Sequence, residues 1–136
     1  QINMSVNKVI LIGNVGKEPD VKALDSGKKV ANFPLATSER GYTLANGTQV
    51  PERTEWHNIV VWGGLAEVVE RYVNKGDKLY LEGKIRTRNY DDKQGIKRYM
   101  TEVYVDNLEM LGSPSKDDNE KKITSDADDL PFYTNR

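Results

Sequence analysis

The chain contains 136 residues, with 20 lysines and arginines against 21 aspartates and glutamates, and it has no cysteine. This length suits one domain of ordinary size followed by a tail, and the near-zero net charge gives no general argument for a nucleic-acid partner. The lack of cysteine excludes a disulfide framework, a thiol nucleophile and a cysteine metal site. No hydrophobic run is long enough for a membrane span or a signal peptide, so we expect a cytoplasmic location.

Residues 6–15 form a β-rich apolar run, which predicts the first strand. Gly13 lies within this run and predicts a bulge or a sharp bend, as strongly curved barrel strands require. Turns are expected next, over residues 16–20 and 25–28, where glycine, proline, aspartate and serine cluster.

Apolar and polar residues alternate from residue 30 to residue 38, which predicts a second strand. Pro34 cannot donate a backbone hydrogen bond, so we expect it at a sheet edge or a bulge. A polar loop follows over residues 40–52, and Asn46-Gly47 within it is a turn signal. The strands on either side of this loop should be antiparallel neighbours.

Residues 54–63 alternate so that successive side chains point to opposite faces of a strand. One face carries Trp56, Asn58, Val60 and Trp62, and the other carries His57, Ile59 and Val61. A tryptophan on an open sheet face is a flat platform on which a nucleobase can stack. The alternative is that both indoles, the only two in the chain, pack beneath a second sheet or at a subunit interface.

Five apolar residues share the spacing of one helical stripe and predict a core-facing helix: Leu65, Val68, Val69, Tyr72 and Val73. Gly63 and Gly64 precede this stripe, and Gly76 follows it as an end signal.

Residues 78–90 predict a long strand with two different faces. Its apolar face carries Leu79, Leu81, Gly83 and Ile85, and the opposite face carries Lys84, Arg86, Arg88 and Tyr90. Three cations and a tyrosine in one row do not resemble a core pattern; the alternative is a solvated edge face. Residues 99–111 predict the closing strand, with one face formed by Met100, Glu102 and Tyr104 and the other by Thr101, Val103 and Val105.

Several curved strands, one helix and a final hairpin are typical of an all-β fold with one helix, the five-stranded Greek-key barrel of the OB type. We expect this domain over residues 4–112, with the helix closing one end of the barrel; an antiparallel sandwich is the second possibility. From residue 113 onward the sequence loses its apolar periodicity, which predicts a disordered tail over residues 113–136.

Catalytic chemistry has little support in this sequence. His57 is the only histidine, so neither a histidine metal cluster nor a conventional serine triad is supported. The glycine spacing over residues 13–17 is wrong for a phosphate loop, and the Asp-Asp pairs are adjacent residues that point apart. We therefore expect no enzyme activity, no metal and no cofactor.

Aromatic residues interleaved with cations are the strongest functional signal. The side chains available for stacking are Trp56, Trp62, Tyr90 and Tyr42, and those available for a phosphate backbone are Lys84, Arg86, Arg88 and Arg40. Stacking of a base on an aromatic ring tolerates any sequence, because every base has a π-face. This combination predicts a surface for single-stranded nucleic acid.

Several blocks of the sequence resemble bacterial single-stranded DNA-binding proteins, the SSB family. The blocks are residues 6–14 (VNKVILIGN), 30–33 (VANF), 35–39 (LATSE), 54–57 (TEWH), 65–68 (LAEV), 80–83 (YLEG) and 86–88 (RTR). Their order and spacing make the resemblance specific, and it covers almost all of residues 4–112.

The resemblance implies an OB-fold homotetramer that binds single-stranded DNA without sequence specificity in replication, recombination and repair on the nucleoid. It places the stacking positions of the family on Trp56, Trp62 and Tyr90. A further family tryptophan has no tryptophan counterpart here, since Gly41 or Tyr42 stands near its position. Two other interpretations remain open: an OB-type protein-docking module, such as a primosome assembly factor, and an RNA-binding or nuclease-like OB protein.

The end of the tail resembles the acidic tip with which the family recruits other DNA-processing proteins. Its residues here are Asp126, Asp128, Asp129, Leu130, Pro131 and Phe132. In the family the phenylalanine is the last residue, whereas residues 133–136 follow it here. We expect these four residues to weaken recruitment, because they move the α-carboxylate away and add a cation.

Overall fold

The computed structural model describes residues 4–112, which form eight strands and one helix. The elements are β1 (Val9–Val15), β2 (Asp20–Ala23), β3 (Lys29–Glu39), β4 (Tyr42–Thr43), β5 (Gln49–Val50), β6 (Arg53–Trp62), α1 (Gly63–Tyr72), β7 (Lys78–Asp91) and β8 (Lys97–Gly112).

Five of the strands close into a barrel in the order β1-β7-β8-β6-β3, and β1 pairs again with β3. The closing contact consists of the pairs Asn14 with Ala36 and Val15 with Leu35. β6 and β8 run parallel, and the other barrel pairs run antiparallel. This topology confirms the predicted OB-type barrel, and it also confirms that β3 and β6 are antiparallel neighbours.

β2 was not predicted from the sequence. Its four residues pair with residues 29–32 at the edge of β3, and of these four only Val21 packs against the core. A strand with one inward apolar residue shows no alternation that a sequence pattern can detect. The predicted turn between β2 and β3 is present, with Gly27 at a φ of 91°.

Gly13 does not form the predicted bulge. The pairing of β1 with β7 runs without a register shift from Val9–Gly83 to Asn14–Lys78. A Cβ atom on Gly13 would overlap the carbonyl oxygen of Ala36, so the glycine allows β3 to approach where the barrel closes. The register shifts lie in the pairing of β7 with β8 instead, where Leu111 and Asp106 of β8 have no partner on β7.

Pro34 lies at a point of β3 where neither β1 nor β2 pairs with the strand on one side, in agreement with its predicted edge position. β2 pairs with β3 as far as Asn32, and β1 begins to pair only at Leu35. The carbonyl of Pro34 accepts a hydrogen bond from the Gly16 amide at 2.8 Å on that side. Because the N and C=O of a strand residue point the same way, the missing donor of Pro34 faces this gap and leaves no ladder bond broken.

Alternating strand residues meet inside the barrel and form one core. The buried core residues are Val15, Ala31, Phe33, Leu35, Ile59, Val61, Ala66, Val69, Val73, Leu79, Leu81 and Val103. Ile85 shares the strand face of Leu81 but is 48% exposed, because the last pair between β1 and β7 is Val9 with Gly83. Beyond that pair, β7 and β8 leave the barrel as a hairpin arm.

Asn7 holds the base of this arm. Its side-chain oxygen accepts a hydrogen bond from the Ile85 amide at 2.9 Å, and its side-chain nitrogen donates to the Ile85 carbonyl at 2.9 Å. The asparagine side chain thus takes the place of one more strand residue on the edge of β7.

The helix packs against β3 and β6, and its buried stripe differs from the predicted one. Ala66, Val69 and Val73 are buried, whereas Val68 and Tyr72 are exposed. Small Ala66 was left out of the predicted stripe because an alanine contributes little to a hydrophobic pattern. Including it rotates the buried face toward Ala66 and away from Tyr72.

The predicted polar loop contains the short β4–β5 hairpin. Its turn is at the predicted place, with Gly47 at a φ of 90° and the Thr48 amide donating to Asn46 Oδ1 at 2.9 Å. This hairpin continues the β3–β6 ladder beyond its last pair, Glu39 with Arg53.

Candidate nucleic-acid interface

The outer surface of β3, β6, β8 and β7 forms one continuous sheet face. Residues that are paired across neighbouring strands project to the same face. One row of such pairs joins Pro34, Asn58, Glu102 and Arg86, and the next joins Asn32, Val60, Tyr104 and Lys84. We call this surface the outer face.

Both tryptophans lie on the outer face and are open to solvent, Trp56 with an exposed fraction of 60% and Trp62 with 45%. Ile59 and Val61 on the opposite side of β6 are buried, as the alternation predicted. The six-residue separation of the two indoles corresponds to about 20 Å along the strand, so they can serve different nucleotides.

The indole of Trp56 rests on Gly16, in the turn that follows β1. A Cβ atom on Gly16 would overlap the indole Cζ3 and would lie 2.9 Å from Cη2. Only a residue without a side chain fits there, so Gly16 sets the position of this platform. Val60 lies between the two tryptophans on the same face, but it is buried and contributes to packing.

The three cations of β7 have different surroundings. The guanidinium carbon of Arg86 lies 5.1 Å from the ring centre of Tyr104, a cation–π contact that uses none of its N–H donors. Lys84 is opposite Tyr104 in the strand register. Within residues 4–112, neither Lys84 nor Arg86 forms an ion pair.

Arg88 is bound to a carboxylate on β8. Its Nε donates to Glu102 Oε1 at 3.1 Å, and its Nη2 donates to Glu102 Oε2 at 3.4 Å. Glu102 is only 5% exposed, whereas the Arg88 side chain is half exposed. The hydrogen bond from Arg88 to Glu102 and the charge of Glu102 raise the pKa of Arg88 above its ordinary value.

Tyr90 lies at the end of this row and is partly exposed, with Arg88 5.9 Å from its ring centre. The loop of the arm beyond Tyr90 is held by Asp92, which accepts hydrogen bonds from the Gln94 and Ile96 amides and from Arg98 Nε, each at 2.9 Å. These bonds lower the pKa of Asp92; the hydrogen bond from the Ile96 amide contributes most, and the bond from Arg98 comes second. The arm that presents Tyr90 therefore has an ordered end.

A cleft of about 440 Å³ opens on the outer face, where the turn after β1 meets β3, β6 and the base of the arm. Its polar lining includes Lys17, Asp20, Asn32, Asn58, Arg88 and Glu102.

The other two predicted site residues lie on the segment that continues β3 toward the β4–β5 hairpin. Tyr42 is exposed on β4 and Arg40 is exposed just before it, both on the hairpin segment beyond Glu39. The predicted tail site, from Asp126 to Phe132, lies outside the described residues.

Sequence reasoning missed Gly16, Lys17, Met100 and Tyr104 as parts of this surface. The alternation of β8 already placed Met100 and Tyr104 on one face, and the pairing of β8 with β7 is the additional information that brings them to the cations. No local signal marks Gly16, since its partner Trp56 is distant in the chain.

Across residues 4–112, no group of three or more histidine, cysteine, aspartate or glutamate side chains is arranged to hold a metal ion. Within the same range, no helix is both long and apolar enough to cross a membrane.

A closed five-stranded barrel with exposed indoles on one sheet face, together with cations that form no ion pair within residues 4–112, defines an OB-fold protein with an aromatic, cationic binding surface. The Single-strand binding protein family model matches residues 6–111. The chain belongs to this family.

Two relatives show high sequence identity over most of the chain. A single-stranded DNA-binding protein of Bacteroides thetaiotaomicron is 72% identical over 108 residues, covering 79% of this chain and 67% of the relative. Single-stranded DNA-binding protein 1 of Chlorobaculum tepidum is 47% identical over 109 residues, covering 79% of this chain and 66% of the relative. The chain thus spans about two thirds of the length of these relatives.

Among solved structures, the barrel is similar to the Plasmodium falciparum SSB in its complex with ssDNA. The TM-score is 0.71 at 35% sequence identity, and the match covers 82% of this chain and all of the other.

Proposed function

We propose that this protein binds single-stranded DNA without sequence specificity and without catalysis. The observation that carries the proposal is the outer face, where Trp56 and Trp62 are exposed and where Lys84 and Arg86 form no ion pair with any residue from 4 to 112. Flat rings stack on any base, and the cations neutralise phosphates. Duplex DNA hides its bases inside the helix, so this surface favours single strands.

The test is a fluorescence titration with single-stranded and duplex DNA of equal length at several salt concentrations. We expect single strands to quench most of the tryptophan emission and duplex DNA to bind much more weakly. A protein-docking module would show no quenching with either DNA. An RNA-binding protein would prefer RNA of the same sequence, and a nuclease would shorten the strand when magnesium is added.

We further propose that the protein assembles as a homotetramer. The supporting observation is the edge of β1: residues 9–13 pair with β7 on one side only, and Ile10 and Ile12 are exposed there. An open strand edge with apolar side chains is suited to pairing with a second copy. We place His57 at or near a subunit contact; it is half-buried, and its Nε2 lies 2.9 Å from Thr37 Oγ1. Light scattering that shows a monomer at micromolar concentration would refute this assembly.

We propose that residues 4–112 bind DNA and that residues 113–136 recruit partner proteins. The binding protects single strands during replication, recombination and repair in the cytoplasm, on the nucleoid, while the tail tip recruits other DNA-processing proteins. Deleting residues 113–136 should preserve DNA binding and abolish capture of a DNA-repair protein from the same organism. Phe132→Ala should reproduce the loss of capture; an unchanged partner affinity would contradict the role of the tip.

A further inference from the structure

Two arginines two residues apart on the same face of β7 have opposite electrostatic surroundings. Arg86 lies over the Tyr104 ring, and among residues 4–112 it has no carboxylate partner. Arg88 donates two hydrogen bonds to Glu102, at 3.1 and 3.4 Å. The sequence pattern treats these two cations as equivalent, whereas the structure neutralises one of them.

Neutralisation of Arg88 is built into the fold. Glu102 is 5% exposed, so its carboxylate depends on Arg88 for a partner and cannot turn into solvent. A phosphate that approached Arg88 would bring a second anion to a cation that is already paired. Counterion release requires a cation that is free to neutralise a phosphate, and Arg88 is not.

The cleft beside Arg88 is also unsuited to a phosphate. Its lining residues include one other cation, Lys17, and three acidic residues, Glu18, Asp20 and Glu102. Between them lie the amides of Asn32 and Asn58 and the ring of Pro34. Such a lining repels an anion, but it offers flat and apolar surfaces together with hydrogen-bonding groups for a neutral ring.

We propose that this cleft is a nucleobase subsite, in which the guanidinium plane of Arg88, held by Glu102, forms one wall and makes no phosphate contact. The inference rests on the proposed single-strand binding. A guanidinium plane stacks on aromatic rings, and the guanidinium carbon of Arg88 lies 5.9 Å from the ring centre of Tyr90, so the same group can contact a base in the cleft. Glu102 is then a positioning residue for Arg88.

The test compares the salt dependence of affinity for oligo(dT) among variants. In Arg86→Met one free cation is lost, so the slope of log affinity against log salt should become shallower by about 0.7, the value for one phosphate contact on a single strand. The double variant Arg88→Met with Glu102→Gln removes a neutral pair. It should keep the wild-type slope while affinity falls about tenfold, as expected for the loss of one stacking surface.

Arg88→Lys keeps the positive charge and the ion pair with Glu102 but lacks the flat guanidinium group. This variant should therefore also lose affinity, with an unchanged slope of log affinity against log salt. A strand of abasic deoxyribose phosphates keeps the phosphates and lacks the bases. The double variant should bind it as the wild type does, whereas Arg86→Met should bind it more weakly.

The proposal is overturned if the double variant flattens the slope as much as Arg86→Met does, or if Arg88→Lys retains full affinity. Either result would make Arg88 a phosphate contact while leaving single-strand binding intact. Failure of the wild type to bind single strands at all would instead refute the proposed function. Thermal unfolding of each variant identifies any loss of fold. If the double variant is unstable, Arg88→Lys, which preserves the ion pair with Glu102, decides whether residue 88 contacts a base or a phosphate.

Discussion

Replacing Trp56 or Trp62 with alanine should weaken single-strand binding by different amounts, because the two indoles are exposed to different extents. An indole side chain presents up to about 250 Å², so exposed fractions of 60% and 45% leave about 150 Å² on Trp56 and about 110 Å² on Trp62. A base covers one face of the ring, which is about half of that area. At about 25 cal/mol per Å², the lost stacking amounts to about 1.9 kcal/mol for Trp56 and about 1.4 kcal/mol for Trp62.

These energies correspond to affinity losses of about 25-fold for Trp56→Ala and about tenfold for Trp62→Ala. The assay is fluorescence anisotropy of labelled oligo(dT) at fixed salt. Truncation also removes the buried part of each indole, about 100 Å² for Trp56 and about 140 Å² for Trp62, so the free energy of unfolding should fall by about 2–3 kcal/mol, and urea unfolding measures this loss separately from affinity. Tyr72→Ala is the matched control, since it removes an equally exposed aromatic side chain from the helix and should leave affinity unchanged.

Variants of this protein that keep one tryptophan test the stacking platform independently, through quenching of the remaining indole emission. Trp56→Phe and Trp62→Phe each leave one indole, and DNA should quench the emission of both proteins. If the alanine variants bind as tightly as Tyr72→Ala, or if the remaining indole is not quenched in either phenylalanine variant, the stacking platform on β6 is wrong.

Three further predictions concern residues that position this surface. Gly16→Ala should displace the Trp56 indole and weaken DNA binding, with little change in the urea midpoint, because the overlapping atoms belong to a movable side chain. Gly83→Ala places a Cβ against the backbone of Tyr104, which cannot yield, so urea unfolding should show a loss of roughly 1–3 kcal/mol. The pKa of Asp92 is lowered in the folded state. Its carboxylate therefore stabilises the arm at any pH above the ordinary pKa of an aspartate, and this stabilisation is lost as the pH falls through the pKa of the folded state. The protection of the Gln94 and Ile96 amides, expressed relative to the intrinsic exchange rate at each pH, should therefore fall in acid, and Asp92→Asn should remove that pH dependence; equal profiles would contradict it.

Strand faces could be predicted from the sequence, because the period of two depends only on neighbouring residues. That period placed Trp56 and Trp62 outside and Ile59 and Val61 inside, as observed. The barrel class followed from the order of strands and one helix.

Contacts between strands could not be predicted, because they depend on register. Glu102 is opposite Arg86 in the β7–β8 pairing, yet it binds Arg88, one step along the diagonal. The bulge alternative at Gly13 was wrong for the same reason, since the atom that the glycine accommodates belongs to Ala36 on a distant strand. Periodicity identifies a face, and only the fold identifies the partners across it.

The side chain of Asn7 has a consequence for the solution behaviour of the protein. Where β1 stops, the amide and carbonyl of Ile85 would otherwise point outward from an open strand edge beside an exposed isoleucine. Open edges of this kind recruit other chains into ladders and initiate aggregation. By occupying both groups, Asn7 protects the base of the arm against unintended pairing.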